Sequence, residues 1–189
     1  MLPDNSLSSS AIFGALVGGR AMQVNKDRDF ESGGVGIQDP SKGLNYQIWQ
    51  AILHNENVIL SSNNTPEFVA YSGSGISEIS FTFDRNMNFT LAFVQNGEAK
   101  LYWYDSQLGA MTTTNYGPAV SSPRVSLDDK RDLQSSISDV IFAYVKDQSL
   151  CYRQQRDRFQ TEYVLKSGGV NKLKKFGMNT KLRLQFLIE

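Results

Sequence analysis

From residue 46 onward, apolar and polar residues alternate over short runs that are separated by polar turns. The clearest run, ISEISFTFD, lies at 76–84. Alternation with a period of two residues is typical of strands that bury one face. The run at 46–53, a four-residue turn and the run at 58–62 predict a hairpin. We therefore predict an all-β domain over residues 46–189.

Two stretches of this domain share one layout, 51 residues apart. Ala92-Phe93-Val94 corresponds to Ala143-Tyr144-Val145, and each triplet precedes a polar turn and a return run that begins with leucine. A partial third copy ends the chain, where 176–188 aligns without gaps with 83–95. We expect repeated four-strand units at about 76–115 and 122–166, and a partial unit at 172–189.

A single antiparallel sheet of this size cannot bury both of its faces, so it must pack on another sheet. Propeller blades and sandwich halves both do this, and the sequence leaves both arrangements open. The strand at 139–145 is apolar on both faces and should be central. Arg183 and Gln185 should place one face of the last strand against solvent or a partner. Either the N-terminal hairpin completes a sandwich, or other chains supply the missing sheets.

Residues 1–45 differ from the rest, because no helix or strand period lasts more than a few residues there. They hold seven of the fifteen glycines. We predict an extended arm that packs on its own domain or on a neighbouring copy, with Ile12 and Phe13 as candidate interface residues. Because ordering so many residues is entropically costly, we expect 1–32 to be ordered only by contact with another chain, or to lie across this one.

The bulk composition excludes several classes of protein. The formal net charge is zero and no apolar run approaches the ~18 residues of a membrane span, so we expect neither nucleic-acid binding nor membrane insertion. The apolar run at 11–19 is too short for an export signal and no Lys or Arg precedes it. The single cysteine, Cys151, cannot form an internal disulfide.

The sequence contains no recognisable catalytic or metal-binding constellation. The one histidine, His54, lies in a predicted turn, and GGVG at 33–36 lacks the lysine and the helix of a phosphate loop. The acidic residues of 25–29 do not have the spacing of a calcium loop. Asp84 and Asp105 fall at strand ends, where aspartate usually hydrogen-bonds locally. We predict that the chain is not an enzyme and that it uses no cofactor or metal.

Two groups of residues are candidates for binding. Trp103 and Tyr104 belong to one aromatic run, YWY, which either packs in the core or presents an aromatic platform to a sugar or a protein. Arg153, Arg156 and Arg158 belong to the run RQQRDRF. They form either a solvated strand end with local ion pairs or an arginine cluster between subunits.

Five longer runs together span roughly residues 33–189: GGVGIQDPSKGLNYQIW, ISFTFDRNMNFTLAFVQNGEAKLYWYD, SPRVSLDDKRDLQSSISDVIFAYV, LCYRQQRDRF and GMNTKLRLQF. They resemble small proteins encoded among the tail genes of tailed bacteriophages, and RQQRDRF is the most specific part. The resemblance implies a β-rich virion component of the tail tip, baseplate or fibre-attachment region. It implies no catalytic residues.

We therefore predict a structural component of a bacteriophage tail, assembled in the bacterial host cytoplasm. It would act through interfaces with other tail proteins and in a homo-oligomer. The alternative is a carbohydrate-binding β module that contacts host surface glycans through the aromatic platform. An enzyme that cleaves surface polysaccharide is the weakest interpretation, because the sequence shows no acid–base pair.

Overall fold

The computed structural model describes residues 30–37, 46–62, 65–129, 138–179 and 183–189. Within these ranges, fourteen strands form three four-stranded sheets and one two-stranded sheet, and all strand pairs are antiparallel. A three-residue 3-10 helix, Gln155–Asp157, is the one helical element in the same ranges. The predicted all-β fold class is confirmed.

The strands follow the chain in order, sheet by sheet. The first sheet contains β1 (Phe30–Ile37), β2 (Tyr46–His54), β3 (Asn57–Ser62) and β4 (Phe68–Ser72). The second contains β5 (Ile76–Phe83), β6 (Phe89–Gln95), β7 (Glu98–Asp105) and β8 (Ala110–Gly117). The third contains β9 (Val120–Asp129), β10 (Ser138–Lys146), β11 (Ser149–Gln154) and β12 (Tyr163–Lys166). The fourth contains β13 (Leu173–Met178) and β14 (Leu184–Ile188).

Each four-stranded sheet is a meander in which every strand pairs with the next along the chain. The first strands of successive sheets lie side by side, with β5 next to both β1 and β9, and β13 next to β9. Meanders that meet along their first strands have the order of propeller blades rather than of two facing sandwich sheets. The strands of the last three sheets fall at the positions of the three sequence copies.

The first sheet differs most from the sequence prediction. Its hairpin β2–β3 was predicted, whereas β1 is a strand within the N-terminal region for which the sequence predicted an extended arm. Three glycines, at 33, 34 and 36, weaken the strand signal there. Pairing with β2 from Phe30↔Leu53 to Ile37↔Tyr46 overrides that weakness. Ile12, Phe13 and the rest of the predicted arm lie outside the described residues.

Three apolar clusters fill the spaces between successive sheets. The strand β10 contributes to two of them, because Phe142 and Tyr144 face the second sheet while Ile141 and Val145 face the fourth. It pairs with both β9 and β11, so the prediction of a central strand is confirmed. In β14 the predicted polar face is also confirmed, since Gln185 is exposed.

Candidate functional site: the arginine loop

The most specific run of the sequence forms a compact loop, residues 153–160, which we call the arginine loop. The 3-10 helix Gln155–Asp157 follows β11, and Arg158 and Phe159 then take positive φ angles of 60° and 58°. Non-glycine residues seldom adopt this conformation. Backbone N–H groups of Arg158 and Phe159 donate to the carbonyls of Gln155 and Gln154, each at 2.8 Å, and so hold the turn.

Phe159 anchors the arginine loop in the core between the second and third sheets. Its side chain is 1% exposed, and its ring packs edge-on against Trp103 with the ring centroids 5.0 Å apart. Because Trp103 belongs to β7, this contact joins the loop to the second sheet. The unusual backbone at Arg158 and Phe159 therefore serves to direct one large apolar side chain inward.

Arg153 lies at the centre of a polar network beside this anchor. Its Nε donates to the Tyr144 hydroxyl at 2.8 Å, and its Nη2 lies 3.1 Å from Glu162 Oε2. Nη1 donates to the backbone carbonyls of Phe159, at 3.1 Å, and of Gln160. The guanidinium thus satisfies two carbonyls, a phenol and a carboxylate.

Two tyrosines lie at the border of this network. The Tyr144 hydroxyl donates to Glu162 Oε2 at 2.6 Å, and the Arg153 guanidinium carbon lies 5.2 Å from the Tyr116 ring centroid. Burial, together with the hydrogen bond to Glu162, raises the pKa of Tyr144. Burial also raises the pKa of Tyr116 to about 12, against the opposing effect of Arg153. Both phenols are therefore neutral at physiological pH, and Arg153 and Glu162 carry the charges.

Arg158 connects the arginine loop to a turn of the second sheet. Its Nε donates to Asp105 Oδ2 at 3.1 Å and its Nη1 donates to Gln107 Oε1 at 2.8 Å. Asp105 Oδ1 accepts the Gln107 N–H at 2.9 Å, which confirms the local role predicted for this aspartate. Although burial alone would raise it, these hydrogen bonds hold the pKa of Asp105 below its usual value.

Arg156 pairs with a buried aspartate of the third sheet. Its backbone N–H donates to Asp139 Oδ1 at 3.0 Å, and its Nε lies 2.8 Å from Asp139 Oδ2. Asp139 stands directly opposite Asp128 in the β9–β10 register, and both side chains are buried. Burial raises the pKa of Asp139, and Arg156 offsets part of that rise. Arg156 thus supplies a positive charge next to the buried Asp139 carboxylate.

Gln155 adds a second link to the second sheet, because its Nε2 donates to Asp84 Oδ2 at 3.3 Å. Asp84 Oδ1 also accepts the backbone N–H groups of Asn86 and Asn88, each at 2.8 Å, so its predicted local role is confirmed. The arginine loop therefore connects two sheets through Asp84, Asp105 and Phe159. Such a loop is suited to fixing the angle between the sheets.

All three candidate arginines thus have partners within the chain. The sequence allowed two interpretations of Arg153, Arg156 and Arg158, and the geometry agrees with the first of them, local ion pairs. The Arg156 side chain is the most open of the three, at 55% exposure. Its contact with a second subunit stays a prediction.

Trp103 does not form part of an open aromatic platform. Its side chain is 4% exposed, and its Nε1 donates to Thr114 Oγ1 at 3.2 Å within the second sheet. Burial alternates along β7, and Trp103 lies on the face that packs against the third sheet. Tyr104 is half-buried on the opposite face. The sequence alone could not decide which ring faced the core, because both faces of this run are aromatic.

An aromatic groove between the first and second sheets was not predicted. It has a volume of about 530 Å³, and its lining includes Trp49, Phe68, Phe83, Phe89 and Met111. The buried Trp49 Nε1 has no hydrogen-bond partner among the residues that the structure describes. The lining comes from seven strands and a turn, so no single run of the sequence signals the groove.

The described residues offer little for catalysis or metal binding. None of their His, Cys, Asp and Glu side chains form a group of three or more that could hold a metal ion. Burial raises the pKa of the Cys151 thiol, which disfavours the nucleophilic thiolate. Residues 25–29, weighed as a calcium loop, lie outside the described ranges. Among the described residues, no helix is long and apolar enough to cross a membrane.

We expect the network at Glu162 to make stability depend on pH. Although burial alone would raise it, hydrogen bonds from Tyr144 and Lys146 and the charge of Arg153 hold the pKa of Glu162 below its usual value. A carboxylate with a lowered folded-state pKa stabilises above its unfolded pKa, about 4.5, and this contribution is lost as the pH falls through the folded value.

Glu162→Gln should therefore be less stable than the parent chain at pH 7, by about 1.5–3 kcal/mol, the value of hydrogen bonds to charged groups. The deficit should shrink as the pH falls from 5 to 3. Urea unfolding followed by tryptophan fluorescence at several pH values measures both quantities. A constant deficit across this range would contradict the prediction.

Comparisons with protein-family models, with curated protein sequences and with solved structures found no match to this chain.

Proposed function

We propose that the chain is a structural component of a bacteriophage tail, present in several copies and bound to other tail proteins. The observation that carries the proposal is the apolar exposure of the outer strands. Phe68 and Val69 in β4, and Tyr163, Val164 and Leu165 in β12, are all exposed. Exposed apolar residues along a sheet edge favour pairing with another chain, and single-chain proteins normally cover or charge such edges.

The series of sheets also favours an assembly. Among the described strands, the fourth sheet has two strands where the other sheets have four. The strand β14 is one of its edges, and the exposed residues of that region include Arg183 and Leu187. An open strand edge with exposed residues is a surface to which a neighbouring protein can bind.

The arginine loop fits a structural role as well. Each of its three arginines pairs with a carboxylate of the same chain. A loop that fixes the angle between sheets gives a rigid building block, which repeated assembly requires. The resemblance to proteins encoded among phage tail genes supports the same interpretation and favours a location in the virion tail.

Peptide mapping of purified phage particles that encode this chain tests the proposal. We expect its peptides in tails separated from capsids, at several copies per tail when calibrated against labelled standards. Host proteins that co-purify nonspecifically provide the background level. Absence of the chain from washed particles would overturn the proposal, whatever the oligomeric state of the isolated protein.

The carbohydrate-binding alternative loses one of its two aromatic residues, because Trp103 is buried. Tyr104 remains half-buried. A single partly covered ring is a weak sugar platform, since such platforms rely on open aromatic faces. We therefore do not favour a glycan as the principal partner.

A further inference from the structure

The outer edges of the first and third sheets are alike, and the edge of the second sheet differs from both. The strand β4 exposes Phe68 and Val69, and every residue of β12 is exposed, including Val164 and Leu165. The corresponding strand of the second sheet, β8, has the polar sequence TTTN at its centre. The edges of the first and third sheets are thus apolar, while the edge of the sheet between them is polar at its centre and exposes one large apolar side chain, Met111.

The two apolar edges are complementary when they are aligned antiparallel. With Val69 opposite Val164, Phe68 stands opposite Leu165, and Glu67 stands opposite Lys166. Glu67 and Lys166 are both exposed, so their opposite charges would meet at the rim of the pair. Cross-strand apolar pairs and opposite-charge pairs each stabilise antiparallel strands.

We propose that β4 of one copy pairs with β12 of a second copy, joining the first sheet of one molecule to the third sheet of the next. The second sheet separates these edges within one chain, so the pairing is between copies. The interface uses two different surfaces, and head-to-tail contacts of this kind produce a ring or a filament. This inference rests on the proposed function only in naming the partner surface of the homo-oligomer.

Pairing of this kind also extends the aromatic groove. Phe68 packs edge-on against Trp49 at 6.3 Å, on the face of the first sheet that turns toward the groove. Residues directly opposite in an antiparallel pair share a face, so Leu165 of the incoming strand lies beside Phe68. The added strand thereby covers apolar surface at the mouth of the groove. Burial of this surface stabilises the pairing in addition to the backbone hydrogen bonds.

A mixed disulfide experiment tests the pairing directly. Val69→Cys and Val164→Cys are made in separate chains, each carrying a different affinity tag, and the two purified proteins are mixed under mild oxidation. Opposed residues in an antiparallel pair have Cβ atoms about 4.5–5.5 Å apart, close enough for a disulfide after a small adjustment. We expect a dimer that carries both tags. The unsubstituted chain, in which Cys151 is buried, gives the background level of cross-linking.

Thr113→Cys in β8 provides the matched control, because this residue lies on the outer strand of the second sheet and is also exposed. Mixing it with Val69→Cys should give at least ten-fold less doubly tagged dimer. Equal yields from the two mixtures would overturn the proposal, since they would reflect random collision. No dimer from the Val69 and Val164 mixture, in solution and in assembled particles, would overturn it as well.

Charge reversal provides a second, independent measurement. Glu67→Lys or Lys166→Glu alone should weaken self-association by about two- to five-fold, and the double variant should restore it. Sedimentation velocity over a range of concentrations measures the effect. If the single variants weaken self-association and the double variant does not restore it, this register is contradicted.

The outcomes separate this inference from the proposed function. A chain found in tails that yields no cross-link in the particle leaves the tail function standing and removes the β4–β12 pairing. A specific cross-link in a chain that is absent from particles supports the β4–β12 pairing and removes the tail function. If a different protein is the partner, Val69→Cys or Val164→Cys should form a cross-linked product in the particle that carries only one of the two tags. That result would overturn the pairing.

Discussion

Replacing Phe159 with alanine is expected to lower the free energy of unfolding by about 3–5 kcal/mol, the range for removing a buried aromatic side chain. The phenyl ring fills the space beside Trp103, and a backbone with positive φ holds it there. Little can move in to fill the cavity, because rigid strands of two sheets surround it. Urea unfolding, followed by the fluorescence of Trp103 and Trp49, measures the change.

Leu108→Ala is the matched control for this prediction. Leu108 also follows the end of a strand, but 65% of its surface is exposed. Its replacement should change stability by no more than about 0.5 kcal/mol. A Phe159→Ala chain that loses less than about 1 kcal/mol would show that the arginine loop is not anchored in the core.

Replacing Arg153 with alanine should have the next largest effect, about 2–4 kcal/mol of lost stability. The substitution leaves the Glu162 carboxylate without its guanidinium partner and removes a donor to two carbonyls. Arg153→Lys keeps the charge but loses the planar fork that reaches several acceptors at once, so it should fall between alanine and the parent chain.

Arg85 offers the control for Arg153, because it is exposed in a turn of the second sheet. Arg85→Ala should leave the denaturation midpoint nearly unchanged. Chemical denaturation of the four proteins under one set of conditions gives the ranking. Equal stability of the lysine and alanine variants at position 153 would mean that the fork geometry does not matter.

Local pattern predicted β5 because apolar and polar residues alternate along it, as burial of one face requires. The alternation at Ile79, Phe81 and Phe83 corresponds to residues that pack on the first sheet. The strand β1 could not be predicted in the same way. Its glycines carry no side-chain pattern, and it is a strand because β2 pairs along its whole length.

The candidate site was predictable in its residues but not in its geometry. The run RQQRDRF stood out by composition, yet its partners Asp84, Asp105 and Asp139 lie 17 to 71 positions away in the sequence. The packing of the second sheet on the third brings Asp84 and Asp105 to the loop, and the pairing of β10 with β11 brings Asp139 there. The same packing decided that Trp103 is buried, which a run with aromatic residues on both faces left open.

The apolar clusters each lie between two successive sheets, and this has a consequence for how the fold can vary. Every sheet depends mainly on its immediate neighbours, so the stability of the molecule is close to a sum of sheet terms and nearest-neighbour contact terms. Gaining or losing one unit at either end of such a series disturbs a single contact. The fold can therefore change length during evolution while its central pair of sheets, locked by the arginine loop, stays intact.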